Sequence, residues 1–354
     1  MELQIIDKGI VAARPKQMYG WPGITRAANG DILVAASERK FHVDPYGREV
    51  VMRSSDNGKT WTQPQEIYNS PFDDRDSNLV TLPDGTLVLG FFTSIHFETL
   101  LPEWKIRVTD EMKKRYVGSW MLFSKDNGHT WTNDPVRMPA GQRVSPFYFS
   151  DGSLVTISAK GWEKEGEKYL EAWRSEDMGK TWEKTWTFDC PSENGRPILN
   201  ENHAIEVSPG KIVGLFRKCG DCLYQADSED YGKTWTTQRK LDIWGLPPHM
   251  LKLSDGRIWL TFGHRRDPFS IRGVMSYDNG KTWDSKNIIT LHQWEDEPDM
   301  GYPASIETAP GEILTVFYCS RRDKPGSECP YDPWNSKSQS EGLPEGILYI
   351  KYKI

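Results

Sequence analysis

The sequence is poor in long apolar runs. The longest, such as Thr86 to Phe92, fall far short of the roughly 18 residues that a membrane-spanning helix needs. Cysteine is scarce and odd in number, five in 354 residues, which argues against a disulfide framework. Cys219-Gly-Asp-Cys222 has redox or zinc-ligand spacing, but no second pair answers it and no βαβ pattern surrounds it, so these read as buried thiols. A basic excess is also missing: 44 Lys and Arg stand against 50 Asp and Glu, for a net charge of −6. Without clustered cations to neutralise phosphates, nucleic acid is not an expected partner. The N-terminus lacks the basic, apolar and small-residue order of a signal peptide, which leaves a cytoplasmic protein or a mature secreted or periplasmic form. No EF-hand-like run and no tight histidine spacing occur, so neither a metal nor another cofactor is expected. Aromatic residues, by contrast, are plentiful, with 15 Trp, 14 Tyr and 13 Phe despite a mean hydropathy of −0.64. Such side chains bury large areas, and the chain is expected to fold.

One octapeptide occurs five times: Ser54-Ser-Asp56-Asn-Gly58-Lys-Thr60-Trp61, and again at Ser124 to Trp131, Ser175 to Trp182, Ser228 to Trp235 and Ser276 to Trp283. Ser, Asp, Gly, Thr and Trp hold fixed positions in each. Asp accepts hydrogen bonds from backbone two residues on and Gly supplies positive φ, so Asp-x-Gly makes a tight turn. Trp then packs into the adjoining apolar layer. The box is structural, and its aspartates are not expected to be catalytic. Between the boxes lie six further turns, at Asn29-Gly30, Asp84-Gly85, Asp151-Gly152, Pro209-Gly210, Asp255-Gly256 and Pro310-Gly311, each flanked by Ile, Leu and Val. Each is a hairpin signal.

Four-stranded antiparallel units repeating in this way are the blades of a β-propeller. Six turns imply six blades. Five boxes fit if the last blade has lost its own. The strands Ile347 to Ile354 and Leu3 to Val11 are expected to pair and close the ring, removing a free sheet edge. The expected fold is therefore all-β, a single six-bladed domain over residues 1–354. Leu101 to Tyr116 reads as a helical or loop excursion.

In such a ring, first strands start and second strands end on one face. Blade one offers Trp21, then Glu38 and Arg39; blade two, Arg75 and Asp76, then His96; blade three, Arg143 to Ser145, then Lys160. Blade four offers Glu201 to His203, then Arg217 and Lys218; blade five, His249, then His264, Arg265 and Arg266; blade six, Asp299 and Tyr302, then Arg321 and Arg322. A concave mouth with convergent ionisable groups is a site candidate. Arg suits carboxylates and sulfates by its planar fork.

The octapeptides match the Asp-box, or BNR, repeat of sialidases, and the chain resembles that superfamily over nearly its whole length. Asn200-Glu201, Ile205-Glu-Val and Leu215-Phe-Arg217 resemble the sialidase segment with a catalytic glutamate and one arginine of the carboxylate-binding triad. Asp299-Met-Gly-Tyr302 resembles the segment of the nucleophilic tyrosine. Ala36-Ser-Glu38-Arg39 followed by Asp44 resembles the region of the acid/base aspartate. The match departs at Gly20-Trp21-Pro22, where sialidases have an Arg-Ile-Pro segment, and Arg265, Arg266 and Arg272 all lie near the place of the third triad arginine.

The resemblance implies a retaining exo-glycosidase on a terminal, acidic sugar of a glycan, with Tyr302, Glu201 and Asp44 catalytic and Arg217 and Arg265 binding substrate. Sialidases are exceptions in using tyrosine as nucleophile, and a neutral phenol avoids repulsion from the sugar carboxylate. Arg39, Arg75, Asp76, His249 and His264 complete the expected substrate-binding set by their place in the ring. Two other functions compete with this one: a non-catalytic carbohydrate-binding propeller and a protein-interaction propeller.

Overall fold

The computed structural model describes residues 3–14, 17–139, 146–160, 169–188, 192–193, 196–197, 199–218, 220–294, 299–320 and 346–354. These include six four-stranded antiparallel sheets. Blade one is Met18–Arg26, Ile32–Arg39, Arg48–Ser54 and Gln65–Tyr68; blade two is Asp73–Thr81, Leu87–Ser94, Gly118–Ser124 and Val136–Met138. Blade three is Pro146–Tyr148, Leu154–Lys160, Tyr169–Ser175 and Glu183–Phe188; blade four is Leu199–Ser208, Lys211–Lys218, Cys222–Ser228 and Arg239–Trp244. Blade five is Leu246–Lys252, Ile258–His264, Phe269–Ser276 and Ile289–Trp294. Blade six is Asp299–Ala309, Glu312–Ser320 and Gly346–Lys353, with Gln4–Ala12 from the other end of the chain as outer strand. That pairing runs antiparallel from Gln4 opposite Lys353 to Ala12 opposite Ile347, the expected ring closure.

The six short turns join first to second strands, and each box joins third to fourth. The missing sixth box now has a reason. In blade six the third and fourth strands are the two ends of the chain, so there is no connection for a box to make.

Every box builds the same network. Ser54 Oγ donates to Asp56 Oδ1 and receives Gly58 N–H, both at 2.8 Å; Thr60 donates its N–H at 2.9 Å and its hydroxyl at 2.6 Å to the same carboxylate. The contacts recur around Asp126, Asp177, Asp230 and Asp278. Asn57 and Gly58 both take positive φ, 62° and 89°, as a tight Asp-x-Gly reversal requires.

Among the described residues, each seam between neighbouring blades holds an apolar cluster. The box tryptophans Trp61, Trp131, Trp182, Trp235 and Trp283 each pack into the seam with the preceding blade. The seam between blades five and six has no box tryptophan; Trp259 fills it, with its indole N–H on Tyr352 Oη at 2.7 Å.

The expected excursion begins slightly earlier, with 3-10 turns at His96–Thr99 and Pro102–Trp104, followed by the α-helix Asp110–Tyr116. Thr109 Oγ1 caps that helix by accepting Met112 N–H at 3.2 Å. Phe72, Phe97 and Val108 anchor the excursion to blade two. No helix among the described residues is long and apolar enough to cross a membrane.

Candidate active site

The first strands line the central axis, and in five of the six they are interrupted near their starts. The ladder shifts register between Gly20 and Gly23, Arg75 and Asn78, Leu199 and Asn202, Leu246 and Pro248, and Gly301 and Ala304. Such bulges re-aim side chains and favour functional rims. Trp21, Asp76 and Tyr302 occupy three of them, at φ of 53°, 63° and 50°. Positive φ in a bulky non-glycine residue is uncommon and is held only by its surroundings. Trp21, Asp76, Glu201, Pro247 and Tyr302 all line one axial cavity of about 440 Å³.

Three expected residues meet at this mouth. Arg217 Nη1 contacts the Glu201 carboxylate and lies 3.4 Å from Tyr302 Oη. The Glu201 and Arg217 side chains are 6% and 11% exposed, so this pair is largely desolvated. Tyr302 also meets Trp21 edge-on at 6.3 Å and Tyr318 at 5.8 Å.

Among the three arginines of blade five, Arg265 turns to the site. It donates to Met300 O at 2.6 Å and to Tyr318 Oη at 3.0 Å, and its guanidinium lies 6.0 Å from the centre of the Tyr302 ring. Arg266 instead stacks on Trp244 and reaches Gly220 O, while Arg272 donates to Ser270 Oγ on its own strand.

Arg39 and Arg75 both lie against Trp21, at 4.5 and 4.2 Å from the ring centre. They share Asp73, whose two oxygens take one guanidinium each. Trp21 is thus itself an arginine platform. Nearby, burial pushes the carboxyls of Glu49 and Asp74 up to about 7 and about 8, against hydrogen bonds that favour the charged form. Glu49 receives Ser37 and Ser77 hydroxyls, and Ser37 Oγ in turn accepts Asp76 N–H at 3.0 Å, fixing the blade-two bulge.

Deeper in the cavity His203 and His249 stack with ring centres 4.3 Å apart, flanked by Phe147. Burial lowers both; His249 falls to about 4, and His203 falls well below its usual range with help from its neighbour. Both are neutral rings at neutral pH. His203 stood on the expected rim, but its pairing with His249 has no signal along the sequence.

Other expected residues go elsewhere. Asp44 is 2% exposed, and its carboxylate accepts the N–H groups of Lys40 at 2.6 Å and Tyr46 at 2.9 Å. It braces its own loop, as an aspartate in an Asp-Pro-Tyr-Gly turn does. His264 packs edge-on to Trp244 with Nδ1 near Arg266 O and Pro268 O, outside the cavity lining. Glu38 pairs with Arg14, Arg48 and Tyr19. Arg143 to Ser145, Cys219, Arg321 and Arg322 lie outside the described residues, as does the Lys160 side chain.

One residue of the mouth went unrecognised in the sequence. His42 Nδ1 contacts Asp299 Oδ2, and its ring meets Trp21 edge-on at 5.2 Å. Asp299 Oδ1 accepts Tyr318 Oη at 2.7 Å and lies 3.4 Å from Arg265. Burial pushes the Asp299 carboxyl up, but His42, Arg265 and Tyr318 outweigh it and hold the group well below the usual carboxylate range.

The BNR repeat-like domain model matches residues 4–196 and 193–315. A sialidase of Paraclostridium sordellii is 26% identical over 134 residues, which cover 37% of this chain and 31% of that protein. The match therefore spans about a third of that relative's length. Among solved structures, a protein of unknown function from Dyadobacter fermentans superposes with a TM-score of 0.77 at 22% identity, over 99% of both chains. The NanB sialidase of Streptococcus pneumoniae gives 0.67 at 15% identity, over 99% of this chain and 70% of its own. A Hadza microbial sialidase, Hz136, gives 0.66 at 18%, over 95% of this chain and 66% of its own. At these identities the superpositions speak to the fold alone. Six blades, five boxes and a family match across most of the sequence make the chain a sialidase-like β-propeller of the BNR repeat-like domain family.

Proposed function

We propose that the chain is an exo-acting glycoside hydrolase of sialidase type, a single domain over residues 1–354 that releases a terminal acidic sugar from a glycan with retention. The observation that carries this reading is that Tyr302 and Glu201 line one cavity and Arg217 contacts both. Tyr302 Oη is the nucleophile at the anomeric carbon, and Glu201 takes its proton. Arg217 is the first grip on the sugar carboxylate, with Arg265 beside it. Asp76 and His249 line the rest of the pocket, and the buried Arg39 and Arg75 back Trp21 from behind its lining. A carboxylate-bearing sugar suits this site because cations crowd the mouth while the nucleophile is an uncharged phenol.

The test is hydrolysis of a broad panel of acidic glycans and aryl glycosides. Wild-type turnover is expected, with Tyr302→Phe and Glu201→Gln both inactive; activity retained in both variants sinks the assignment. Gly20-Trp21-Pro22 in place of the sialidase Arg-Ile-Pro segment favours one second reading, a non-catalytic carbohydrate-binding propeller. Glycan binding without hydrolysis by the wild type selects it.

A further inference from the structure

The loop of residues 40–47 joins the second and third strands of blade one and is held at three points. Asp44 ties Lys40 to Tyr46, and Gly47 O accepts Asp74 N–H at 3.1 Å. A side chain at Gly47 would strike Arg39 and Asp73, so the loop sits directly on that ion pair. What this loop sets against Trp21, a residue of the cavity lining, is His42, with 33% of its side chain exposed. Its Nδ1 is engaged by Asp299, a carboxylate with no exposed side-chain surface that is itself fixed by Tyr318 and Arg265. The His42 and Tyr302 rings both pack edge-on to Trp21. An imidazole at a pocket mouth, oriented by a buried carboxylate on one nitrogen, is how proteins present a base or acid on the other.

We propose that His42, oriented by Asp299, is the general acid and base of this site, in the role that the family resemblance assigned to Asp44. The assignment rests on the glycosidase reading above. In the first half-reaction Tyr302 Oη bonds to the anomeric carbon as the glycosidic C–O bond breaks. The phenolic proton passes to Glu201, and His42 Nε2–H protonates the departing oxygen. In the second, water attacks the anomeric carbon and gives its proton to His42. The bond to Tyr302 then breaks, and the phenolate recovers its proton from Glu201. The sum is one glycosidic bond and one water consumed, with every side chain restored.

The charged groups facing His42 are Asp299 from blade six, Arg39 from blade one and Arg75 from blade two, with Arg265 of blade five behind Asp299. Burial lowers the imidazole pKa, Asp299 opposes that, and the two arginines lower it further, so it lies below the usual 6.5. The acid form is the one required in the free enzyme. The basic limb of kcat/KM is therefore expected below pH 6.5.

The experiment compares wild type with His42→Gln on two kinds of acidic glycoside, one with a sugar or alkyl leaving group and one with a nitrophenolate. An unactivated oxygen needs its proton, so the variant loses about 10²–10⁴-fold in kcat there. A nitrophenolate leaves without help, so the loss in forming the glycosyl-enzyme is under about tenfold, and the basic limb of kcat/KM disappears. Asp299→Asn follows the same pattern more weakly; because it also releases Arg265 and Tyr318, His42→Gln is the deciding variant. Equal losses on both leaving groups, or an unchanged basic limb, overturn the assignment. If Tyr302→Phe is inactive while His42→Gln matches wild type on the unactivated substrate, only this assignment falls. If wild type hydrolyses nothing in the panel, the glycosidase reading falls and takes this one with it.

Discussion

Arg217 reaches both Glu201 and the Tyr302 hydroxyl through a single nitrogen, Nη1. One cation thus joins blade four to blade six across the mouth. Removing it takes one partner from a largely buried ion pair, which costs about 3 to 5 kcal/mol. Arg217→Leu is expected to lower the urea midpoint accordingly, and Arg217→Leu with Glu201→Gln to recover much of the loss. Strict additivity in that double-mutant cycle would show that the two side chains do not interact.

Trp21→Arg would place a third arginine in this corner of the mouth and is expected to harm the protein. The new guanidinium would stand beside Arg39 and Arg75, whose partner carboxylates Asp73 and Asp76 are already engaged, and the buried indole would be lost. Loss of a buried tryptophan alone costs about 3 to 5 kcal/mol. Thermal melting checks this: a Tm equal to wild type would mean that the pocket already accommodates a third arginine.

Ser228 shows what holds a box together. Its hydroxyl donates to Asp230 and accepts the buried Gly232 N–H, and the residue is 4% exposed. Ser228→Ala leaves that N–H unpaired, a cost of about 1 to 3 kcal/mol. Catalytic constants should not move, because the box lies at the opposite end of its blade from the mouth. A change in KM without a change in the denaturation midpoint would contradict the structural role.

Acid and alkali act on different carboxylates. Thr181 and Ser175 hold Asp177 down at about 2, and Asp56 and Asp126 lie lower still. In Asp230 and Asp278 partial burial pulls upward but is outweighed by the same partners. Their contribution is present above the usual 3.8 and is lost as pH falls toward 2. Glu49 and Asp74 have the opposite sign. Burial raises them to about 7 and about 8, so the native state holds protons that the unfolded chain releases, and stability declines as pH rises from about 4 through 8. Glu49→Gln removes one such group and should reduce the stability difference between pH 5 and pH 8 by about 3 kcal/mol. An unchanged difference would place the decline on other groups.

The ring itself was legible because its signals are local. A glycine turn and an Asp-x-Gly box each specify a hairpin from a few neighbouring residues, and their alternation fixes the blade count. Tyr302, Glu201 and Arg217 were legible through resemblance, since each sits on a first or second strand whose register the repeat sets. The loops were not. Asp44 and His42 are two residues apart in one polar turn, and only the fold shows that the aspartate binds backbone while the histidine meets Asp299, 257 positions away. The stack of His203 on His249 depends likewise on two neighbouring blades presenting rings at one height. Gly20-Trp21-Pro22 read as a segment that lacks its arginine; the structure makes Trp21 the surface on which Arg39 and Arg75 rest.

Tyr302 and Asp299 stand on the first strand of the sheet that takes Gly346–Lys353 as its third strand and Gln4–Ala12 as its outer one. Joining segments so far apart carries the largest loop-closure cost in the molecule, and such contacts form late. During synthesis, blade four can present Glu201 and Arg217 well before their partner tyrosine has a sheet to stand on. Assembly of this mouth is therefore tied to closure of the ring. A protease that clips either terminal strand would silence the site from the far edge of the blade, without touching a residue of the pocket.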